Sequence, residues 1–263
     1  MRSMPPIGLG TFQNTYRDEC IDSVTTALDV GYRFVDTAQV YDTEAFVGDA
    51  LEASAIDRED VFVATKIWND NLAYDDVLES FEASRDRLGL DVVDLLYVHW
   101  PAGAYDPDST LAAFDELYDA GKIRHVGVSN FTRPQLERAQ EVLDAPVFAN
   151  QIEVHPLCQQ SDLRAYCEAE DIEVVAYSPL ARARVIGNEE LQRIAAKHDA
   201  TAPQVSLAWV REQGGTPIPM ARTEPHIREN YESLDLELDE ADHEAIAALD
   251  SEQRTIDPEY APW

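Results

Sequence analysis

The stretch Gly31-Tyr32-Arg33-Phe34-Val35-Asp36-Thr37-Ala38 carries the pattern on which the rest of this sequence is built. A glycine of the kind that ends helices is followed by a short apolar run, and the run ends on the acidic residue Asp36. A strand buried on both faces of a parallel sheet has such a continuous apolar sequence. We therefore predict a buried strand at Phe34–Asp36 with a carboxylate at its carboxyl end.

The same pattern recurs along the chain and predicts eight strands, namely Ile7–Gly10, Phe34–Asp36, Val61–Lys66, Val93–His99, His125–Ser129, Phe148–Glu153, Glu173–Tyr177 and Thr216–Pro219. Between them lie stretches with apolar residues at helical spacing, such as Ile21, Val24 and Leu28. A (β/α)8 barrel has roughly 250 residues, and this chain has 263. We predict an α/β fold of this class, a TIM barrel formed by a single domain over residues 1–263, with a C-terminal tail (251–263) near the barrel mouth.

A doubly wound parallel sheet is the alternative fold. A nucleotide-binding sheet of that kind carries a glycine-rich loop after its first strand. The sequence Gly8-Leu9-Gly10-Thr11-Phe12-Gln13 stops after two glycines, and neither the GxGxxG nor the GxxxxGKS/T motif occurs in the chain. The sequence therefore favours the barrel.

The charge of the chain excludes several kinds of partner. It has 51 Asp and Glu against 20 Lys and Arg, a formal net charge of -31, whereas binding to nucleic acid needs a basic face. No apolar run approaches the ~20 residues of a membrane helix, and Met1–Pro6 shows no signal-peptide core. We expect a cytoplasmic protein with neither a nucleic-acid nor a membrane partner. Since the acids are spread along the chain, we also expect a salt-adapted, halophilic protein.

The three cysteines predict no metal site. Cys20, Cys158 and Cys167 form an odd set without CxxC or Cys/His ligand spacing. They are typical of small packed residues in a reducing compartment.

Four polar side chains at or after predicted strand ends form a proton-transfer set. The second strand ends at Asp36, and Tyr41 lies in the following loop. The third strand ends at Lys66 and the fourth at His99. The carboxyl ends of the strands in a βα barrel surround the mouth where catalysis takes place. A neighbouring ammonium lowers the pKa of a phenol, and a carboxylate holds the ammonium charged. We expect Tyr41 to be the general acid, with its pKa lowered by Lys66, while Asp36 anchors Lys66. His99 would orient a carbonyl.

The chain resembles the aldo-keto reductase superfamily in a series of motifs that runs from about Ile7 to Asp250. They are Gly31-Tyr32-Arg33-Phe34-Val35-Asp36-Thr37-Ala38 with Tyr41, Thr65-Lys66-Ile67-Trp68-Asn69, Val98-His99-Trp100-Pro101, Gly127-Val128-Ser129-Asn130-Phe131, Asn150-Gln151-Ile152-Glu153-Val154-His155-Pro156 and Ala176-Tyr177-Ser178-Pro179-Leu180. It is similar to the bacterial and archaeal 2,5-diketo-gluconate and methylglyoxal reductases. The resemblance implies a βα barrel that reduces aldehydes and ketones by hydride transfer from NADP(H), less often NAD(H). It also maps the family's catalytic tetrad onto Asp36, Tyr41, Lys66 and His99.

The resemblance further implies which residues bind the cofactor. Ser129, Asn130 and Gln151 match the residues that bind the nicotinamide carboxamide, and Tyr177 matches the tyrosine that stacks on the nicotinamide. Ser178 and Leu180 follow it, and Leu180, Arg182 and Arg184 lie where the diphosphate would run. Ala181 and Ala183 replace common glycines there.

At the adenosine end, the matching residues are Arg222, Thr223, His226, Glu229 and Asn230. Thr223 is predicted to cap a helix that begins near Glu224-Pro225, and the N-terminal amides of such a helix can bind a phosphate. The family's usual lysine is Met220 here, and His226 stands where arginine is common. Because Arg222 can contact a 2′-phosphate, we favour NADP(H) and keep NAD(H) as the alternative cofactor.

Aromatic residues predict the substrate pocket. Phe12, Trp68 and Trp100 follow the first, third and fourth strands, and Trp263 ends a proline-rich tail. With no obvious cation in the pocket, we expect a small-molecule carbonyl substrate, an aldehyde or a dicarbonyl, and a monomeric enzyme. The alternative is a nucleotide-binding regulatory or sensor protein of the same fold with little turnover, and the complete tetrad favours the enzyme.

The net charge predicts that salt stabilises the fold. Salt screens repulsion over ~10 Å at 0.1 M and over ~3 Å at 1 M. We expect the melting temperature to rise strongly between low and molar KCl, measured by thermal unfolding at constant pH. A melting temperature that does not respond to KCl would contradict salt adaptation and indicate an ordinary acidic protein.

Overall fold

The structure is a computed structural model that describes residues 4–263. Eight strands form one sheet in which each strand pairs in parallel with the next along the chain. They are β1 (Leu9–Gly10), β2 (Phe34–Asp36), β3 (Phe62–Ile67), β4 (Val93–Val98), β5 (Ile123–Ser129), β6 (Val147–Glu153), β7 (Glu173–Tyr177) and β8 (Gly215–Pro217). The predicted strands are all present, and no strand end differs from its predicted position by more than two residues.

Backbone hydrogen bonds join the two edges of this sheet. The amide of Gly8 donates to the carbonyl of Pro217 at 3.0 Å, and the amide of Gly10 donates to the carbonyl of Pro219 at 3.2 Å. A side chain at Gly10 would place its Cβ 2.9 Å from the carbonyl oxygen of Ile218, so glycine allows the two strands to approach. The fold is therefore the predicted (β/α)8 barrel.

Helices cover the outside of the sheet. They are α1 (Arg17–Val30), α2 (Glu44–Ala53), α3 (Tyr74–Leu88), α4 (Pro107–Asp119), α5 (Arg133–Val142), α6 (Ser161–Ala169), α7 (Glu189–Lys197), α8 (Ala202–Glu212), α9 (Glu224–Glu232) and α10 (Glu240–Ala247). Gly31 and Gly89 end α1 and α3 with positive φ values of 130° and 64°, as the sequence predicts. Short 3-10 segments lie at Gln39–Tyr41, Arg58–Asp60, Asn69–Asn71, Ala181–Gly187 and Ser233–Asp235.

The inward-facing side chains form a column that leads to the mouth. A small apolar cluster, separate from the main core, consists of Phe34, Phe62, Ala64, Leu95, Tyr97, Ala149, Val175 and Ile218. Side chains two positions apart on a strand share a face. Three such pairs each join a side chain of this cluster to a polar side chain of the mouth: Phe34 with Asp36, Ala64 with Lys66, and Tyr97 with His99. The polar side chains therefore lie directly above the apolar cluster.

The remaining apolar side chains form a larger core between the sheet and the helices. The three cysteines are buried and unpaired, and burial raises the pKa of each thiol to about 11. Within residues 4–263, no helix combines the length and apolar character needed to cross a membrane.

Candidate active site

A buried ion pair occupies the floor of the barrel mouth. Lys66 is completely buried, and its ammonium donates hydrogen bonds to Asp36 Oδ1 and to the carbonyl of Thr37 at 2.8 Å. The second oxygen of Asp36 accepts a hydrogen bond from Gln151 Nε2 at 2.7 Å. Burial raises the pKa of Asp36 and lowers the pKa of Lys66, and the ion pair opposes both changes. Side chains from three strands, β2, β3 and β6, thus meet at one carboxylate.

Tyr41 lies above this pair at the end of the 3-10 turn Gln39–Tyr41. The Lys66 ammonium is 4.9 Å from the centroid of its ring, and the rings of Tyr41 and His99 are 5.7 Å apart and nearly perpendicular. Burial raises the pKa of Tyr41 well above its usual value, and the charge of Asp36 adds to this effect. Lys66 was expected to lower this pKa, but the loss of hydration that a phenolate would suffer here and the charge of Asp36 outweigh its effect, so the net shift is upward. At neutral pH the phenol keeps its proton and can donate it.

His99 is neutral at neutral pH, because burial and the nearby charge of Lys66 hold its pKa well below its usual value. Its ring meets the rings of Trp68 and Tyr41 edge-on, at centroid distances of 5.2 and 5.7 Å. Its Nδ1 is buried and has no hydrogen-bond partner among the described residues. A neutral imidazole has one donor and one acceptor nitrogen, and the ring lines the cavity beside Tyr41.

Gln39 fixes the turn that carries Tyr41, a role the sequence analysis missed. Its Oε1 accepts hydrogen bonds from the amide of Trp68 at 3.0 Å and from Asn71 Nδ2 at 3.3 Å. Its Nε2 donates to the carbonyl of Ser80 and to the hydroxyl of Ser84, both at 3.0 Å. One amide therefore ties the Tyr41 turn to the loop after β3 and to α3. A lone glutamine in a loop gives no sequence signal for such a role.

Polar residues at or near the carboxyl ends of β5, β6 and β7 form a connected network beside the tetrad. Asn130 Nδ2 donates to the carbonyl of His99 at 3.1 Å and to Ser129 Oγ at 3.0 Å. Asn130 Oδ1 accepts from the hydroxyl of Tyr177 at 2.8 Å, and Ser129 Oγ donates to the carbonyl of Gln151 at 2.8 Å. The side chain of Gln151 is bonded to Asp36, so the residue predicted to bind a carboxamide also holds the buried carboxylate.

Two adjoining cavities extend from this network. The first, of about 740 Å³, is lined by the reactive set Asp36, Tyr41 and His99 and by the network beside it. The second, of about 600 Å³, is lined by small residues of α7 and α8 and by residues of α9. Leu180, Ile186 and Met220 line both cavities. Together the two form one long groove that runs from Tyr41 to α9.

Most of the predicted cofactor residues lie along this groove. Ser129, Asn130, Gln151, Tyr177, Ser178 and Leu180 line the first cavity, and His226, Glu229 and Asn230 line the second. Arg222 and Thr223 line neither; the exposed guanidinium of Arg222 donates to the carbonyl of Gln13 at 2.5 Å. Thr223 occupies the N-cap position of α9, as predicted, without a capping hydrogen bond from its side chain. Arg182 and Ala183 line the first cavity.

Among the predicted pocket residues, Phe12, Trp68 and Trp100 line the first cavity. Trp263 does not line it, but its ring packs against Trp100 at 5.6 Å. Among its other lining residues, Val40, Ile256, Pro258 and Tyr260 were not predicted. The last three belong to the C-terminal segment, whose conformation no sequence pattern reveals.

Comparison with known proteins gives consistent similarities. Residues 6–251 match the sequence model of the Aldo/keto reductase family. A glyoxal reductase of Bacillus subtilis (strain 168) is 39% identical over 95% of this chain and 91% of its own length. The methylglyoxal reductase DkgB of Escherichia coli O157:H7 is 39% identical over 98% of this chain and 97% of its own length. The crystal structure of MGS-M4, an aldo-keto reductase from a Medee basin deep-sea metagenome library, superposes with a TM-score of 0.93 and 38% identity, over 98% of this chain and 96% of that one.

Substitutions at Asp36 and Lys66 are expected to be strongly coupled in their effect on the free energy of unfolding. Asp36→Asn or Lys66→Met alone leaves an unpaired buried charge and is expected to lower the free energy of unfolding by about 3 to 5 kcal/mol. The double variant leaves no charge and should lose much less than the sum of the two single losses. Urea unfolding at one fixed KCl concentration measures all four proteins. If the loss in the double variant equals the sum of the two single losses, Asp36 and Lys66 do not interact in the folded protein.

Proposed function

The chain belongs to the aldo/keto reductase family, and from this premise we propose that it is an NAD(P)H-dependent carbonyl reductase with Tyr41 as its general acid. The family is one of oxidoreductases that reduce carbonyl groups, and this chain shares that activity. The observation that carries the proposal is the phenol of Tyr41, which lines the cavity beside the Lys66–Asp36 ion pair and whose pKa is raised by loss of hydration, so that it keeps its proton.

Each residue of the tetrad has one task in this reaction. When bound, the reduced nicotinamide supplies the hydride that reduces the carbonyl carbon. Tyr41 donates its proton to the carbonyl oxygen as negative charge develops there, and the Lys66 ammonium stabilises the resulting phenolate. Asp36 keeps Lys66 charged and in place. The neutral ring of His99 donates a hydrogen bond to the substrate oxygen and orients it.

The groove supports binding of a nicotinamide dinucleotide. Its first cavity offers the donors and acceptors that an amide needs, at Ser129, Asn130 and Gln151, and the ring of Tyr177 offers a flat surface for the nicotinamide. Ser178 and Leu180 lie next along the groove, before the second cavity. The alanines of that cavity suit the flat face of an adenine, and Glu229 and Asn230 can bond to its edge.

We favour NADP(H) as the cofactor, with NAD(H) as the alternative. Among the described residues no Lys or Arg lines the second cavity, while Glu229 does. Preference for a 2′-phosphate therefore depends on three residues near the start of α9. His226 lines the cavity, Thr223 is the N-cap of the helix, and Arg222 precedes it in the loop. Arg222 has to exchange its bond to Gln13 for one to the phosphate.

The substrate is proposed to be a small neutral aldehyde or dicarbonyl. Aromatic rings of Phe12, Trp68, Trp100 and Tyr260 wall the space beside Tyr41. In the described part of the chain, Arg182 is the one cation in this lining, and it follows β7 where the diphosphate is predicted to lie. Two similar enzymes are named glyoxal and methylglyoxal reductase. We further propose a cytoplasmic monomer, since a net charge of -31 opposes association.

Tyr41→Phe is expected to lower kcat with methylglyoxal and NADPH by at least about 100-fold, because the general acid is lost. Binding of NADPH, measured by quenching of tryptophan fluorescence, should change little. Tyr16→Phe is the matched control, since Tyr16 is exposed and lines neither cavity. Retained turnover in Tyr41→Phe would contradict the mechanism. An absence of turnover in the unaltered protein, with NADPH bound, would indicate the sensor function instead.

Arg222→Ala is expected to raise the KM for NADPH and to leave the KM for NADH nearly unchanged, because only NADPH carries the 2′-phosphate that the guanidinium is proposed to bind. Arg228→Ala provides the control, as Arg228 pairs with Glu224 on the exposed side of α9. Initial rates at saturating methylglyoxal measure both constants. An equal rise for the two cofactors would show that Arg222 does not set the preference.

A further inference from the structure

We propose that Glu153 is a positioning residue that anchors the C-terminal segment (254–263) against the mouth and thereby sets which carbonyl substrates fit. The inference rests on the proposed function, because the segment walls the cavity that contains Tyr41. Glu153 itself does not line that cavity. It acts through the residues that it holds.

The anchor is a buried carboxylate with an unusual number of partners. Glu153 is the last residue of β6 and is completely buried. Its Oε1 accepts hydrogen bonds from the amide of Thr255 at 2.7 Å, from the Thr255 hydroxyl, and from His155 Nε2 at 3.1 Å. Its Oε2 accepts one from the amide of Ile256 at 3.2 Å. Three of these four donors belong to the C-terminal segment.

This carboxylate is ionised in the folded protein. Burial alone would raise the pKa of Glu153, but the hydrogen bonds from His155, Thr255 and Ile256 outweigh it and lower the pKa. The bonds are therefore charge-assisted, the stronger class of hydrogen bond. They matter because residues 251–263 form no helix or strand that would fix them otherwise.

The anchored residues lead directly into the pocket wall. Ile256, whose amide is bonded to Glu153, also lines the first cavity, and Pro258 and Tyr260 line it further along. The ring of Tyr260 packs edge-on against Trp100 at 5.3 Å and against Trp68 at 6.3 Å. The position of one carboxylate thus determines where three lining residues lie.

Besides these ring contacts, the segment makes polar side-chain contacts that are partly or fully open to water. Arg254 donates to Gln160 Oε1 at 2.8 Å and lies 3.6 Å from the ring centroid of Trp263. The indole nitrogen of Trp263 donates to Asp257 at 2.9 Å, and the Trp263 side chain is 42% exposed. Exposed polar contacts are worth little and are weakened by salt. The bonds to the buried carboxylate of Glu153 are therefore the main polar restraint on the segment.

The consequence for catalysis depends on the size of the substrate. A small dicarbonyl fills only the space beside Tyr41 and His99. A larger aromatic carbonyl has to contact Ile256 and Tyr260 as well, so it depends on a fixed segment. Releasing the segment should weaken binding of the large substrate and leave the chemical step unchanged.

Glu153→Gln tests the inference, because it keeps the shape of the side chain but removes the charge and places an NH2 donor against the amides of the segment. The KM for 2-naphthaldehyde should rise about tenfold, with kcat nearly unchanged, while kcat/KM for methylglyoxal changes less than about twofold. Hydrogen exchange at the amides of Thr255 and Ile256, measured by NMR or mass spectrometry, should become at least about tenfold faster.

Two further variants keep the test decisive. Thr255→Val removes only the hydroxyl and should shift the KM for 2-naphthaldehyde in the same direction by a smaller factor, even if Glu153→Gln fails to fold. Tyr260→Ala removes an aromatic ring from the cavity lining and should raise the KM for 2-naphthaldehyde without changing hydrogen exchange at the Thr255 amide. Unchanged exchange in folded Glu153→Gln, or equal changes in KM for both substrates, overturns the anchor. If the unaltered protein reduces no carbonyl, the proposed function fails, and the exchange measurement still tests the anchor.

Discussion

The buried ion pair between Lys66 and Asp36 is the contact on which the rest of the site depends. An ammonium with no access to water needs a carboxylate partner, and the carboxylate needs a second donor, which Gln151 supplies from the opposite side of the barrel. Replacing such a pair with apolar residues often leaves stability unchanged or improves it. The pair is therefore better explained by the charge that it places beside Tyr41 than by stability, and it requires the barrel to be closed.

In this site the charged side chains and the side chains proposed to contact the substrate are different residues. The charges of Lys66 and Asp36 largely offset each other, while Tyr41 and His99 are both held neutral. A neutral phenol and a neutral imidazole can donate hydrogen bonds to a carbonyl oxygen without attracting an anionic substrate. The aromatic wall formed by Phe12, Trp68 and Trp100 continues this neutral surface. This neutral surface agrees with the proposed preference for small uncharged carbonyl compounds.

Features set by local sequence were predictable, and features set by distant contacts were not. The strand Phe34–Asp36 was predictable because a strand buried on both faces has a continuous apolar sequence, and the alternation of side chains along β3 and β4 brings Lys66 and His99 to the mouth. The direction of the pKa shift of Tyr41 was not predictable, since the hydration of its phenol depends on how the loops assemble around it. Tyr260 was missed because the segment that carries it is held by Glu153, about a hundred residues earlier. The bond from Arg222 to Gln13 likewise joins opposite ends of the chain.

The protonation state of Tyr41 tests the central claim most directly. The protein, labelled with tyrosine enriched in 13C at Cζ, can be titrated by NMR at constant salt, and the resonance that disappears in Tyr41→Phe belongs to this residue. A free phenol titrates near pH ~10. If burial keeps Tyr41 as a neutral proton donor, its resonance will stay at the position of a protonated phenol through pH ~10. A phenolate at or below that pH would contradict the account.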